Sequence, residues 1–186
     1  MDASSGKRVY RDLQQHIEEL KARDLLYVVD EPVNKDTEMS ALVRWQFRGG
    51  LREDQRKAFL FTNPTDSKGR QYDIPVVIGA LAANQDIYAT GMDTTVDGIA
   101  AKWSHAIANP VPPRVVEDAP CHDVVIDGED LLAEDGGLVR LPVPLSTPGF
   151  DSTPTLAATN VITKNPDTGT QNMGTYRAGL KSSDRL

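Results

Sequence analysis

The six residues Asn172-Met173-Gly174-Thr175-Tyr176-Arg177 hold an amide, a glycine, a phenol and a guanidinium in one short run. An asparagine carbonyl oxygen suits a hard cation such as Mg²⁺ or Mn²⁺. An arginine presents a planar fork that matches a carboxylate through two parallel hydrogen bonds. Gly174 lets backbone N–H groups approach a flat ligand. Asn172 and Arg177 are five apart, so an ideal strand aims them at opposite faces. A single site built from both requires a bulge or bend between them, and Gly174 is the natural place. The same residues on a solvated strand face need no ligand, and spacing alone leaves both readings open.

The elements that must hold this run are legible around it. Pro166-Asp167-Thr168-Gly169 is a hairpin signal, with proline presetting the first turn residue and glycine supplying a left-handed one. Upstream, "DVVI", "GLVRLPVPL", "TLAATNVITK" and "TQNMGTYR" read as short strands separated by Gly, Pro and Asp turns, the opening of a β-barrel or sandwich. "NPVPPRVVEDAP" places four prolines between Pro110 and Pro120, which marks a stiff connector and a domain boundary.

Before that connector, helices and strands alternate, the pattern of an α/β layer domain. Leu13, Ile17 and Leu20 space a helix over Tyr10 to Arg23, and "LLYVVD" follows as a strand. Met39, Leu42, Val43 and Phe47 form the apolar stripe of a helix from Thr37 to Arg48, stopped at Gly49-Gly50. "AFLFTN" and "IPVVIGAL" are further strands, separated by the polar loop Thr65 to Tyr72. A short helix capped by Asn84 stops at Gly91. A second one begins at Thr94 with a box-like Thr94-x-x-Asp97 and carries Val96, Ile99, Ala100, Trp103 and Ile107 on one face. The expected organisation is an N-terminal α/β domain over 1–115, then an incomplete barrel domain over 116–186.

The 186 residues include 20 Lys and Arg against 27 Asp and Glu, a formal net charge of −7, which argues against nucleic acid as main partner. No apolar run approaches the roughly 20 residues of a membrane span. The N-terminus lacks a signal segment, and the single Cys121 excludes an internal disulfide or a Cys-rich zinc site. The expectation is a soluble, cytoplasmic protein. His105 reads as a packing or capping residue, and Cys121-His122 would point to opposite faces rather than form a nucleophile pair. Trp45 and Trp103 read as packing anchors. Glu18-Glu19, Glu53-Asp54 and Glu129-Asp130 read as solvated acids, and Gly136-Gly137 as a turn.

"NVITKNPDTGTQNMGTYRAGLKSSDRL", with the "LPVPLSTPGFDSTPTLAATN" approach, resembles the N-terminal half of the UbiD family of prenylated-FMN (de)carboxylases. The order "FLFTN", "IPVVIGAL", "KWSHAI" and the proline-rich connector is similar too. The resemblance implies a split β-barrel of flavin-reductase-like kind after the α/β domain. It implies reversible non-oxidative decarboxylation of an aromatic or α,β-unsaturated acid, in a complete protein expected to be a homo-oligomer. Implied cofactors are prenylated FMN and Mn²⁺ or Mg²⁺, with K⁺ a further candidate. By that resemblance Asn172 contacts metal and cofactor, Met173, Gly174, Thr175 and Tyr176 contact flavin, and Arg177 contacts flavin and substrate. The family's metal-binding histidine and glutamate and its proton-handling acid have no counterpart here, since His16, His105 and His122 precede the motif. The chain therefore reads as an N-terminal fragment. The competing reading is a non-catalytic module that binds flavin or a protein through an exposed barrel edge.

Overall fold

The computed structural model describes residues 12–186. In chain order its elements are α1 (Leu13–Ala22), β1 (Leu26–Val29), β2 (Val33–Asn34), α2 (Met39–Arg48), β3 (Ala58–Phe61), β4 (Pro64–Thr65), β5 (Val76–Ile78), α3 (Gln85–Gly91), α4 (Ile99–Ala108), β6 (Thr155–Lys164) and β7 (Gln171–Gly179). Tyr10 and Arg11, where the sequence pattern starts the first helix, lie outside the described residues. Two compact units are formed. One takes residues up to Asp30, Val43–Thr62 and Val77–Ala119, and the other Glu31–Leu42, Asn63–Val76 and Pro120–Leu186. Among the described residues no helix is long and apolar enough to cross a membrane.

In the first unit β1, β3 and β5 form a sheet in that order, with β1 and β3 parallel from Leu26↔Ala58 to Val29↔Phe61. Parallel strands need crossovers, and the helical segments between them supply these. Leu20, Leu26, Ala58, Ala80, Ala83 and Ile87 make the buried cluster. α1 starts because the Asp12 carboxylate accepts from the Gln15 amide at 2.9 Å. It stops where Asp24 turns left-handed (φ 57°) and the Leu25 amide reaches back to the Leu20 carbonyl at 2.8 Å. The buried His16 Nε2 donates to the Ala80 carbonyl at 2.7 Å, so this histidine ties the helix to the chain after β5.

Asn84 caps α3 as its sequence suggests: Oδ1 accepts from the Ile87 amide at 2.7 Å, while Nδ2 donates to the Arg56 carbonyl at 2.6 Å. Asn84→Ala removes the cap and strands a carbonyl, which should cost about 2–3 kcal/mol. The urea midpoint of the complete protein should fall at unchanged m value.

Three expectations are corrected here. In α2, Met39, Val43 and Gln46 are the buried positions, whereas Trp45 is 71% exposed and Leu42 and Phe47 are also exposed. Gln46 turns inward because its amide acts as a strand would: Nε2 donates to the Lys57 carbonyl at 2.9 Å and Oε1 accepts from the Lys57 amide at 3.0 Å. The cap before α4 is Thr95, whose Oγ1 accepts from the Gly98 amide at 3.3 Å, and a 3₁₀ turn over Val96–Gly98 precedes the helix. Trp103 is partly exposed, with its indole N–H donating to the Tyr88 hydroxyl at 2.7 Å.

In the second unit β2 and β4 make a two-residue parallel pair, and β6 and β7 an antiparallel one. Two expected strands are absent. "DVVI" lies between 3₁₀ turns at Pro120–His122 and Gly128–Leu132, with Val124 and Val125 exposed. "GLVRLPVPL" begins as a 3₁₀ turn over Gly137–Arg140, with Gly137 at φ 52°, outside the extended range a strand requires. Pro142 and Pro144 then lack the N–H groups a ladder needs. The described residues thus form a mixed α/β structure with small sheets, and no closed barrel among them.

Candidate functional site

The hairpin follows from its turn. Asn165 Oδ1 accepts from the amides of Asp167 and Thr168 at 2.8 and 2.9 Å, and Gly169 takes φ 71°. From Lys164↔Gln171 the ladder runs unbroken to Thr159↔Tyr176. This corrects the expected bulge at Gly174, which pairs in register with Val161. The irregularity lies on the other strand, between Leu156 and Thr159, where Ala157 and Ala158 stand opposite Arg177. Gly174 serves a different purpose. A Cβ there would lie 3.0 Å from Tyr176 Cζ and Oη, so the glycine lets the phenol fold over the strand.

Because β7 is regular, its residues divide between two faces. Met173, Thr175 and Arg177 share one, with Ile162 and Asn160 opposite the first two. Asn172, Gly174 and Tyr176 share the other. The Arg177 face carries an exposed apolar pair, Met173 (65%) and Ile162 (63%). Beside it is a polar pair in which the Thr175 hydroxyl donates to Asn160 Oδ1 at 3.1 Å. A flat aromatic ligand laid along this face would cross the apolar pair and end at a guanidinium. Among the described residues β7 has only β6 as a hydrogen-bonded strand neighbour, so its outer edge also offers backbone donors and acceptors.

Arg177 Nη2 donates to both oxygens of Asp151, at 3.0 and 3.1 Å. Neither distance alone explains this pair: the Arg177 side chain is 57% exposed and Asp151 only 19%. With its arginine end exposed to solvent, the pair contributes about 0–1 kcal/mol and adds little to stability. Sequence reasoning missed Asp151, which lies 26 residues away and carries no spacing signal.

Asp151 also belongs to the wall of a cleft of about 1270 Å³ in this unit, with Lys35, Asp66, Arg70, Tyr72 and Lys181. There the Tyr72 hydroxyl donates to Asp66 Oδ2 at 3.1 Å. Burial, then this bond to a carboxylate, pushes the phenol up to about 12. Burial pushes the Asp66 carboxyl upward, but the amides of Arg70 and Lys68 and the Tyr72 hydroxyl together hold it below its ordinary value. Lys35 is nearly buried, with Nζ 2.7 Å from Asp36 Oδ1. The cleft is a self-neutralising charge network.

The donors for a divalent cation do not assemble here. Asn172 stands opposite Thr163 beside the turn. Among the described residues no three His, Cys, Asp or Glu side chains come together to hold a metal. At the end of α4 the Asn109 side-chain amide donates to the His105 carbonyl at 2.9 Å and lies 3.3 Å from His105 Nδ1, and Cys121 is exposed.

Residues 17–107 match the family model of the 3-octaprenyl-4-hydroxybenzoate carboxy-lyase N-terminal domain. Residues 114–186 match the model of the Rift-related domain of the same carboxy-lyase. Among solved structures, an evolved dimeric form of the UbiD-class enzyme HmfF from Pelotomaculum thermopropionicum in complex with prFMN is 26% identical, with TM-score 0.71 over 94% of this chain and 37% of that one. Vanillic acid decarboxylase from Sedimentibacter hydroxybenzoicus, in open form, is 26% identical with TM-score 0.73, over 94% of this chain and 35% of that one. The apo 3,4-dihydroxybenzoic acid decarboxylase from Enterobacter cloacae is 25% identical with TM-score 0.76, over 94% and 36%. The chain spans about a third of the length of these proteins.

Proposed function

The chain belongs to the UbiD family of carboxy-lyases, and from that premise we propose that the complete protein decarboxylates an aromatic or α,β-unsaturated carboxylic acid, reversibly and without net oxidation. The observation that carries this reading is Arg177, an exposed guanidinium that already grips a carboxylate at the end of a face suited to a flat ring. Met173 and Thr175 are the flavin contacts this face supplies. Gly174 and Tyr176 act from the other face through the shape of the strand.

Loss of CO₂ leaves an electron pair on carbon. Prenylated FMN, when bound, supplies the electron sink for it. This chain's part is orientation: the Arg177 fork holds the carboxylate so that the breaking bond is fixed relative to the ring. As neutral CO₂ leaves, the negative charge that faced Arg177 on the carboxylate passes to the substrate carbon. Asn172 offers one oxygen toward Mn²⁺ or Mg²⁺, and among the described residues no three His, Cys, Asp or Glu side chains join it. No step is therefore assigned to a cation. On this reading β6 and β7 are the first strands of a split barrel, and 116–186 is the start of a flavin domain that packs with Glu31–Leu42 and Asn63–Val76 from the α/β stretch over 1–115. The partner is a small acid in the cytoplasm, not nucleic acid, and the complete protein assembles with its own copies.

The open edges of the β6–β7 pair favour a second reading, a non-catalytic flavin- or protein-binding module. One experiment separates the two. The complete protein, loaded with prenylated FMN, is incubated with a panel of benzoic and acrylic acids, and CO₂ release and ¹³CO₂ exchange are measured. Turnover of at least one acid is expected. Full flavin occupancy without release or exchange from any acid would establish the module instead.

A further inference from the structure

Asp151 is built to hold still. The amides of Phe150 and Asp151 both donate to the Thr147 carbonyl, at 3.0 and 2.9 Å, in a turn that places Gly149 at φ 89°. Just beyond the acid, the Thr153 hydroxyl donates to the Leu180 carbonyl and the Leu180 amide donates to the Pro154 carbonyl at 2.9 Å. The loop carrying Asp151 is thus stitched to the chain three residues past Arg177. Its contact with the guanidinium uses Nη2 alone, which sits between both carboxylate oxygens. Nη1 and Nε keep their N–H groups for a second carboxylate, and both bidentate edges of the guanidinium, Nε–Nη2 and Nη1–Nη2, include the anchored nitrogen, so Asp151 sets the direction in which the fork points. The facing strand adds its own device: the extra residue at Ala157-Ala158 lies opposite Arg177, and bulges re-aim the side chains beside them.

We propose that Asp151 is a positioning residue, anchoring Nη2 of Arg177 so that the guanidinium plane is held in one orientation toward the substrate carboxylate. This rests on the assignment of Arg177 as the carboxylate clamp. Asp151 touches neither the substrate nor the cofactor. A guanidinium on a long, half-exposed side chain samples many rotamers, and an anchor removes that freedom before the substrate arrives.

The test uses the complete, flavin-loaded protein and four variants: Asp151→Ala, Asp151→Asn, Arg177→Lys and the double variant Asp151→Ala with Arg177→Lys. Calorimetric Kd values for benzoate and cinnamate are read beside KM and kcat. Losing the anchor should raise KM and Kd about 10-fold in Asp151→Ala, with a smaller change in kcat. Asp151→Asn should recover most of this, because an amide oxygen still accepts from Nη2. In the Arg177→Lys background the alanine should add less than twofold, since the anchored group is gone. Unchanged or tighter acid binding in Asp151→Ala would overturn the proposal, the tighter result identifying Asp151 as a competitor for the fork. Full additivity in the double variant would overturn it as well. Should Asp151→Ala fail to fold, Asp151→Glu displaces the guanidinium by a methylene and must raise KM; an unchanged KM would then sink the idea. Collapse of Arg177→Lys with a neutral Asp151→Ala refutes the positioning role alone. A neutral Arg177→Lys refutes the clamp, and the anchor falls with it.

Discussion

Arg177→Lys in the complete protein should keep its flavin and lose 30- to 1000-fold in turnover. The fork offers two parallel N–H groups to a carboxylate, and an ammonium is a point charge without that geometry. A lost bidentate, charge-assisted contact of roughly 2–4 kcal/mol corresponds to that range of rates. Stability should hardly change. The arginine end of the Asp151 contact is exposed to solvent, and a lysine keeps the charge that faces it. Steady-state rates, flavin absorbance after purification and a thermal melt check the three parts separately. Turnover within twofold of the parent would remove Arg177 from the chemistry and make it a solvated strand residue.

Gly137→Ala should destabilise the second unit by about 3 kcal/mol, a value set by two costs. Gly137 lies at φ 52°, where a β-carbon costs roughly 1–2 kcal/mol by itself. That carbon would also fall on the Ser183 carbonyl oxygen and 2.9 Å from the Leu131 carbonyl oxygen, both of them backbone. The Ser183 carbonyl cannot retreat freely, since it accepts from the Leu138 amide at 2.7 Å. Gly169→Ala is the control. Its φ is 71°, yet the nearest atom to an added carbon is Lys164 Cε at 3.7 Å, so only the backbone cost applies. Urea unfolding of the complete protein should place Gly137→Ala well below Gly169→Ala. Equal midpoints would show that the Ser183 segment does not close on Gly137 in solution.

These two glycines show what was legible in the chain. Gly169 follows Pro-Asp-Thr in a turn whose residue types specify it, so local sequence was enough. Gly137 reads as an ordinary turn residue, because the carbonyl that demands it is 46 positions away. Asn84 was legible as a cap, but its second bond to Arg56 was not. Gln46 broke the apolar stripe of α2 for the same reason, since Lys57 rather than helix periodicity decided its direction. In the candidate site the hairpin and its motif could be read, while the bulge went to the wrong strand. Glycine advertises a bulge, and Ala157-Ala158 does not. Asp151 left no trace at all, because ion pairs across a folded loop have no spacing rule.

Each compact unit is assembled from three separated stretches of chain. A stop codon after Ala119 would therefore not deliver one unit clean. Glu31–Leu42 and Asn63–Val76 would come along without Pro120–Leu186. The Lys35 carbonyl would lose the Leu145 amide, the Ser40 hydroxyl its carbonyl acceptor on Leu145, and Arg70 its ion pair with Asp135. Gene fusion or shuffling at the proline-rich stretch would join mismatched partners in the same way. Chimeras between relatives are better cut along the contact boundaries, exchanging three segments together.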